Sequence, residues 1–187
     1  MIRLRTVLFP LLLASPFASA LADEYTDTLK LFRSAGQSAK FFARSYGYAV
    51  FPTIGKGGLV VGAAHGSGRV YVKGARVGDT SMTQLSVGPQ LGGQAYSQII
   101  FFESKRAFDE FASGNFEFGA QASAVAITAA AEAQATTGGA GVGASGTPQH
   151  ATSASHYHDG MAVFTIAKGG LMVEASLAGQ KFSYRAK

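Results

Sequence analysis

The chain has 187 residues, 16 of them Lys or Arg and 11 Asp or Glu, giving a formal net charge of +5, and it contains no cysteine. The missing cysteine excludes disulfides, thiolate metal sites and a cysteine-borne lipid anchor. The length suffices for one domain with a true core. The mild positive charge permits contact with anionic surfaces, while the lack of Lys/Arg runs and of any nucleic-acid motif argues against a nucleic-acid partner.

The N-terminus reads as a secretory signal peptide. Arg3 and Arg5 precede an apolar run from Val7 to Phe17, and Ala20-Leu21-Ala22 is a small-x-small cleavage site ahead of Asp23 and Glu24. The run is too short to span a bilayer, which takes about 20 residues. The expected cut between Ala22 and Asp23 leaves one domain, residues 23–187, with 14 basic and 11 acidic side chains. Its expected location is the periplasm or outside the cell.

Residues 24–46 form the first predicted helix. Tyr25, Leu29, Phe32, Ala39, Phe42, Ala43 and Tyr46 recur at helical spacing, with Lys30, Arg33, Lys40 and Arg44 at polar positions. Gly36 weakens its middle by about 1 kcal/mol relative to Ala, and Gly47 stops it. It is either a plain amphipathic helix covering a sheet or one whose basic face also meets a membrane.

From Tyr48 the texture turns to strand. Val50 and Phe51 lead into Pro52, which suits a sheet edge or a bulge. Leu59, Val60 and Val61 follow a Gly pair. Gly66-Ser67-Gly68 reads as a turn, Arg69 to Lys73 as an alternating strand and Gly78-Asp79 as another turn. Met82 to Val87 alternates, with Met82, Gln84 and Ser86 on one face. Gln98 to Phe102 is a buried-strand candidate. Ser104 caps a short helix holding Ala107, Phe108 and Phe111, ended by Gly114. Phe116, Phe118, Ala120, Ala122, Ala124 and Ala126 then share one face of a strand reaching about Ile127, although the Ala-rich stretch 120–135 suits a helix equally. Residues 136–160 carry almost no large apolar side chain and read as a long mobile loop. Met161 to Ile166, Leu171 to Val173 and an edge strand from Lys181 to Tyr184 complete the chain. The 24 glycines and the scarcity of helix point to an antiparallel sheet rather than βαβ units.

One pattern occurs twice. AVFPTIGKGGL at 49–59 matches AVFTIAKGGL at 162–171 when one residue near Pro52 is dropped. Two copies are too few for a solenoid and read as two equivalent hairpin-like elements. Each Lys-Gly-Gly can act in either of two ways. Its exposed backbone N–H groups and lysine can hold an anion, with Lys56 and Lys168 at one surface. Alternatively the glycines make bulges or tight turns and each lysine guards an edge.

Catalytic arrangements are not expected. There is no G-x-S-x-G elbow, no H-E-x-x-H and no P-loop, since Gly55-Lys56-Gly57-Gly58 lacks the required upstream Gly and following Ser/Thr. His65 sits beside a predicted turn. His150, His156 and His158 lie in the polar loop, where His156-x-His158 can take up a transition metal adventitiously without forming a fixed site. No cofactor is expected.

The strings YGYAVFPTIGKGGLVVGAAHGSGRVY, SVGPQLGGQAYSQIIFF, FDEFASGNFEFGAQASAVA and GMAVFTIAKGGLMVEASLAG, in that order, resemble the SYLF-domain family over about residues 24–184. The resemblance implies a single α+β domain, an antiparallel barrel-like or sandwich β-sheet with an N-terminal helix and a short second helix packed on it. It implies a non-catalytic lipid-binding module, contacting anionic or phosphoinositide-like headgroups in eukaryotic members, some of which also touch actin through added elements. The implied contact is a basic Gly-rich surface: Lys56 with Gly57 and Gly58, Lys168 with Gly169 and Gly170, and more weakly Arg69 and Lys73. The segment from Thr136 to Gly160 is longer and richer in Gly, Ser and His than the family pattern. Neither an actin-binding extension nor an SH3 or FYVE partner is present in this sequence. The alternative reading is a structural or protein-interaction domain of the periplasm with no lipid ligand.

Overall fold

The computed structural model describes residues 17–58, 61–87, 93–119, 122, 125–127, 157–168 and 177–187. Helices α1 (Phe17–Ser34) and α2 (Gly36–Arg44) lead into four long strands, β1 (Gly47–Gly58), β2 (Val61–Val72), β3 (Ala75–Val87) and β4 (Gln94–Phe102). Helix α3 (Lys105–Ala112) follows, then β5 (Phe116–Glu117), β6 (Val125–Ile127), β7 (Met161–Lys168) and β8 (Lys181–Ala186). The strands form one sheet in the order β5-β8-β3-β2-β1-β4-β7-β6, antiparallel except for the β6–β7 pair. The chain is α+β, as its motifs imply.

The sheet has to curl. Laid flat, its outer strands would stand roughly 34 Å apart, seven interstrand spacings. Yet β5 and β6 are joined by residues 118–124 alone, a link that reaches at most roughly 28 Å when fully extended. The result is a half-barrel with an inner and an outer face.

Each face carries its own core. On the outer face α1 and α2 lay Tyr25, Phe32, Ala35 and Phe41 against Tyr48, Val50, Ile99, Phe101 and Phe164. Phe41 is the hub, with ring centroids 5.5 Å from Phe101, 5.0 Å from Phe164 and 5.1 Å from Tyr157; such pairs add about 0.5–1.5 kcal/mol each beyond burial. On the inner face α3 packs Ala107 and Phe111 over Ala49, Phe51, Ile100, Phe102, Met161 and Phe182. The inner core also holds a polar chain. Gln98 Nε2 donates to Gln180 Oε1 at 3.0 Å, and Gln180 Nε2 donates to the Tyr96 hydroxyl at 3.3 Å. Burial pushes the Tyr96 phenol up to about 12.

Several expectations are corrected by this packing. The single helix over 24–46 is two helices. Ala35 leaves the helical conformation (ψ 112°), and the buried Ser38 hydroxyl donates to Phe32 O at 2.6 Å across the break. Gly66-Ser67-Gly68 is no turn but the middle of β2. A Cβ on Gly66 would meet Ile54 at 2.6 Å and one on Gly68 the Phe51 ring at 2.7 Å, so these glycines make room for side chains of the neighbouring strand. Gly78-Asp79 likewise lies within β3. The turn is Lys73-Gly74, whose φ values of 51° and 81° suit a two-residue hairpin between right-twisted strands. The strand expected from Phe116 to Ile127 is two short ones on opposite ends of the sheet. Lys181 to Tyr184 is not outermost, because β5 pairs outside it.

Residues 157–160, placed in the mobile loop, form a second tight turn. His158 and Met161 exchange backbone hydrogen bonds of 2.9 Å around Asp159 and Gly160, which have φ values of 50° and 75°. Pro52 sits where expected, at a bulge: β1 shifts register against β4 between Phe51 and Ile54. Ser104 caps α3, accepting from Ala107 N at 3.3 Å. Residues 1–16 of the expected signal peptide 1–22, Leu59-Val60, most of 120–135, the rest of the polar loop with His150 and His156, and Leu171 to Val173 lie outside the described residues.

Candidate functional site

The two repeat copies are β1 and β7, which flank β4. Lys56 stands opposite Gln94 and Ala64, and Lys168 opposite Ala95. Both lysines are therefore at the same end of the sheet. Directly paired residues share a face, and successive residues of β4 point to opposite faces. Lys56 consequently belongs to the inner face and Lys168 to the outer, so the repeats do not bring them to one surface.

Their surroundings differ as well. Lys168 Nζ donates to Thr53 Oγ1 at 2.6 Å and to Glu24 Oε1 at 3.2 Å, while Thr53 donates to the same carboxylate at 2.6 Å. The hydrogen bond from Thr53, then that from Lys168, holds the Glu24 carboxyl below its ordinary 4.5. Lys56 is half-buried and has no ion pair among the described residues. Gly57 and Gly58 end β1, and a side chain on Gly58 would collide with the Val61 carbonyl. Gly169 and Gly170 lie outside the described residues. Lys73 is exposed in the β2–β3 turn, at the other end of the sheet.

Arg69 is the predicted residue that keeps cationic company. It faces outward from β2 with its guanidinium carbon 3.9 Å from the Tyr25 ring centre, within reach of a cation–π contact. Across the sheet it pairs with Asp79 of β3, which pairs in turn with Arg185 of β8. Arg76 joins them, its Nη2 donating to Asp79 Oδ1 at 2.6 Å, and Arg185 Nη2 stands 3.7 Å from Asp79 Oδ2. Residues three apart in a regular strand point to opposite faces. Arg76 and Asp79 share one because a register shift beside Val77 adds a residue there. One rung further along, Ser67, Ser81 and Ser183 form a parallel row, with the last two hydroxyls 2.7 Å apart.

These two rows floor an open groove of about 680 Å³ between α1 and the β2-β3-β8 part of the sheet. The groove gathers three guanidinium groups and one carboxylate, and the Arg76 Nε hydrogen is buried without a partner among the described residues. On the same outer side of the sheet, away from the groove, the helices carry exposed Lys30, Arg33, Lys40 and Arg44, with Lys30 paired to Asp27 at 2.9 Å and Arg33 stacked on Phe42 at 4.3 Å. Arg76 and Arg185 were missed in the sequence, where nothing marks them as neighbours of Arg69. His65 stands on the outer face between Gly55 and Thr83, exposed and without a hydrogen bond among the described residues. No described helix is long and apolar enough to cross a membrane, and no group of three metal-ligating side chains occurs among the described residues.

A sequence profile of the Ysc84 family, described as Las17-binding protein actin regulator, matches residues 83–187, more than half of the chain. The chain belongs to the Ysc84 family. This is the SYLF family that the motifs resemble. A curated relative, Beta cell expansion factor A of Aeromonas veronii, is 29% identical over 159 residues, covering 84% of this chain and 52% of the relative. The chain thus spans about half the length of that relative. Ysc84 membership places it among binding and regulatory domains.

Proposed function

We propose that this chain is a non-catalytic module of the cell envelope that binds anionic lipid surfaces through its outer face. The observation that carries this reading is the groove of Arg69, Arg76 and Arg185 around the single carboxylate of Asp79. Guanidinium forks are suited to phosphate oxygens. Asp79 fixes two of the three cations without cancelling them, and Tyr25 fixes the third. The basic solvent face of α1 and α2 extends the same charge, each residue near an anionic surface adding about 1 kcal/mol. The signal-peptide pattern at the N-terminus supports a periplasmic or secreted location.

The test is co-sedimentation with phosphatidylcholine vesicles, with and without phosphatidylglycerol. Binding is expected only to the anionic vesicles and is expected to fall as salt is raised. The Arg76→Glu/Arg185→Glu variant loses at least roughly thirtyfold in affinity, the scale of two cations removed before the repulsion of the two added carboxylates. Equal binding to both vesicle types sinks the reading, and an unchanged double variant removes the groove from it.

One observation favours a second reading, a protein-interaction domain without lipid ligand. Val61 and Leu85 stand 62% and 76% exposed on the outer face of neighbouring strands, and the family description names a protein partner. On this reading neither vesicle type is bound, and capture of a protein partner is lost in Val61→Ser/Leu85→Ser but kept in Arg76→Glu/Arg185→Glu; vesicle binding that needs the arginines counts against it.

A further inference from the structure

A cavity of about 450 Å³ lies on the inner side between β5 and β7, where the two ends of the curled sheet approach each other. Its walls are apolar: Phe116, Phe118, Met161, Val163 and Leu177, all part of the inner core or packed on it. The volume falls in the range of small-ligand sites, about 300–1,000 Å³, and small eight-stranded barrels are wide enough inside to hold one small ligand.

The mouth is acidic in a chain that is basic overall. Glu110 at the end of α3, Glu117 of β5 and Asp159 of the turn before β7 stand there, three of the chain's 11 carboxylates. Glu117 is paired with Lys181 at 3.4 Å. Among the described residues Asp159, whose side chain is 95% exposed at the rim, has only the His158 imidazole, with Nδ1 3.7 Å away, and Glu110 has no ion pair. The left-handed turn fixes the Asp159 backbone. These carboxylates are too dispersed to chelate a metal ion, and Glu110 and Asp159, which have no lysine or arginine partner among the described residues, disfavour an anionic amphiphile. An organic cation spreads its charge over a larger volume and suits such a mouth. Phe116 and Phe118, with ring centroids 5.0 Å apart, supply aromatic surface of the kind that receives ammonium groups.

We propose that this cavity binds a small apolar molecule bearing one organic cation, of the alkylammonium class, with its chain against Met161, Val163 and Leu177 and its head among Glu110, Glu117 and Asp159. The site is independent of the lipid reading above: it lies on the opposite face and carries the opposite charge.

The experiment is isothermal titration calorimetry of the purified protein with decyltrimethylammonium, decyl sulfate and decyl maltoside, each below its micelle concentration. The ammonium is expected to bind one molecule per chain, in preference to the other two, and more weakly at high salt. Glu110→Gln/Asp159→Asn is expected to weaken it about tenfold, and Asn tolerates the left-handed turn, so the fold is kept. Val163→Phe fills the cavity and abolishes binding. Equal affinity for sulfate and ammonium, an unchanged Glu110→Gln/Asp159→Asn variant, or no ammonium binding at all would each overturn the proposal. Arg76→Glu/Arg185→Glu leaves ammonium binding unchanged, so the two sites stand or fall separately.

Discussion

β1 and β7 carry nearly the same words and do opposite things with them. Ala49 lies opposite Ile100 of β4 and Ala162 opposite Phe101, an offset of one residue. That offset persists to the last pair, Lys56 against Gln94 and Lys168 against Ala95. It persists because the extra residue of the first copy, at Pro52, is absorbed by the bulge. Every equivalent pair therefore lands on opposite faces. Phe51 enters the inner core and Phe164 the outer, and Ile54 is fully buried inside while Ile166 packs beneath the helices. A repeated motif is not a repeated environment: a one-residue offset in register inverts a strand.

The phenylalanines give the strongest test of this inversion. Phe51→Ala and Phe164→Ala are each expected to cost about 3–5 kcal/mol in urea denaturation. They should differ in where the loss appears. Phe164→Ala removes a ring 5.0 Å from Phe41 and should speed amide exchange in α2, whereas Phe51→Ala should spare α2 and loosen β8 through Phe182, 5.7 Å away. Equal exposure of α2 in both variants contradicts the two-faced picture. Next in size is the seat of Phe51. Gly68→Ala places a methyl 2.7 Å from that ring and 2.9 Å from Thr80 and should cost about 1–3 kcal/mol; a neutral result means the inner face has slack.

Deleting Pro52 probes the bulge itself. The shortened strand pairs regularly, Thr53 stays outside and Ile54 inside, and the cost should be near the one hydrogen bond it disturbs, Ser97 Oγ to Pro52 O at 2.7 Å, about 1 kcal/mol. Failure to fold would show that the bulge is required rather than accommodated. The smallest effect belongs to the tie between the first helix and the second copy. Glu24 has a lowered pKa when folded, so its contribution is complete above pH 4.5 and drains away as the pH falls below that value. Its side chain is 39% exposed, which limits Glu24→Gln to a few tenths of a kcal/mol at neutral pH. The stability gap from wild type should close in acid, and a gap that persists there assigns the effect to packing instead.

The sequence carried the class of fold, the strand at Gln98 to Phe102, the Ser104 cap and the bulge at Pro52, because each rests on local patterning or on one residue's backbone chemistry. It misled at Gly66 to Gly68 and at Gly78. Glycine signals either a turn or a close neighbour, and the neighbours here, Ile54, Phe51 and Tyr184, come from other strands. The facing of Lys56 and Lys168 was hidden for the same reason, since β4 sets it from about forty residues away in one case and about seventy in the other. Arg69 was singled out, but Arg76 and Arg185 reach it only through a bulge in β3 and a pairing with β8. The acidic mouth draws on three separate elements, and the sequence shows no cluster there.

The strand order also fixes a sequence of assembly. β1, β2 and β3 form a meander that β4 closes on one side, all within residues 47–102. β7 then covers β4 and β8 covers β3, so both flanks of the sheet come from segments that lie later in the chain than everything they protect. Until those segments dock, the half-built sheet shows two long, unpaired edges of the kind that templates association. The chain is most exposed to misassembly in that interval, and a chaperone that shields strand edges during it would matter more to the yield of folded protein than to the stability of the finished fold.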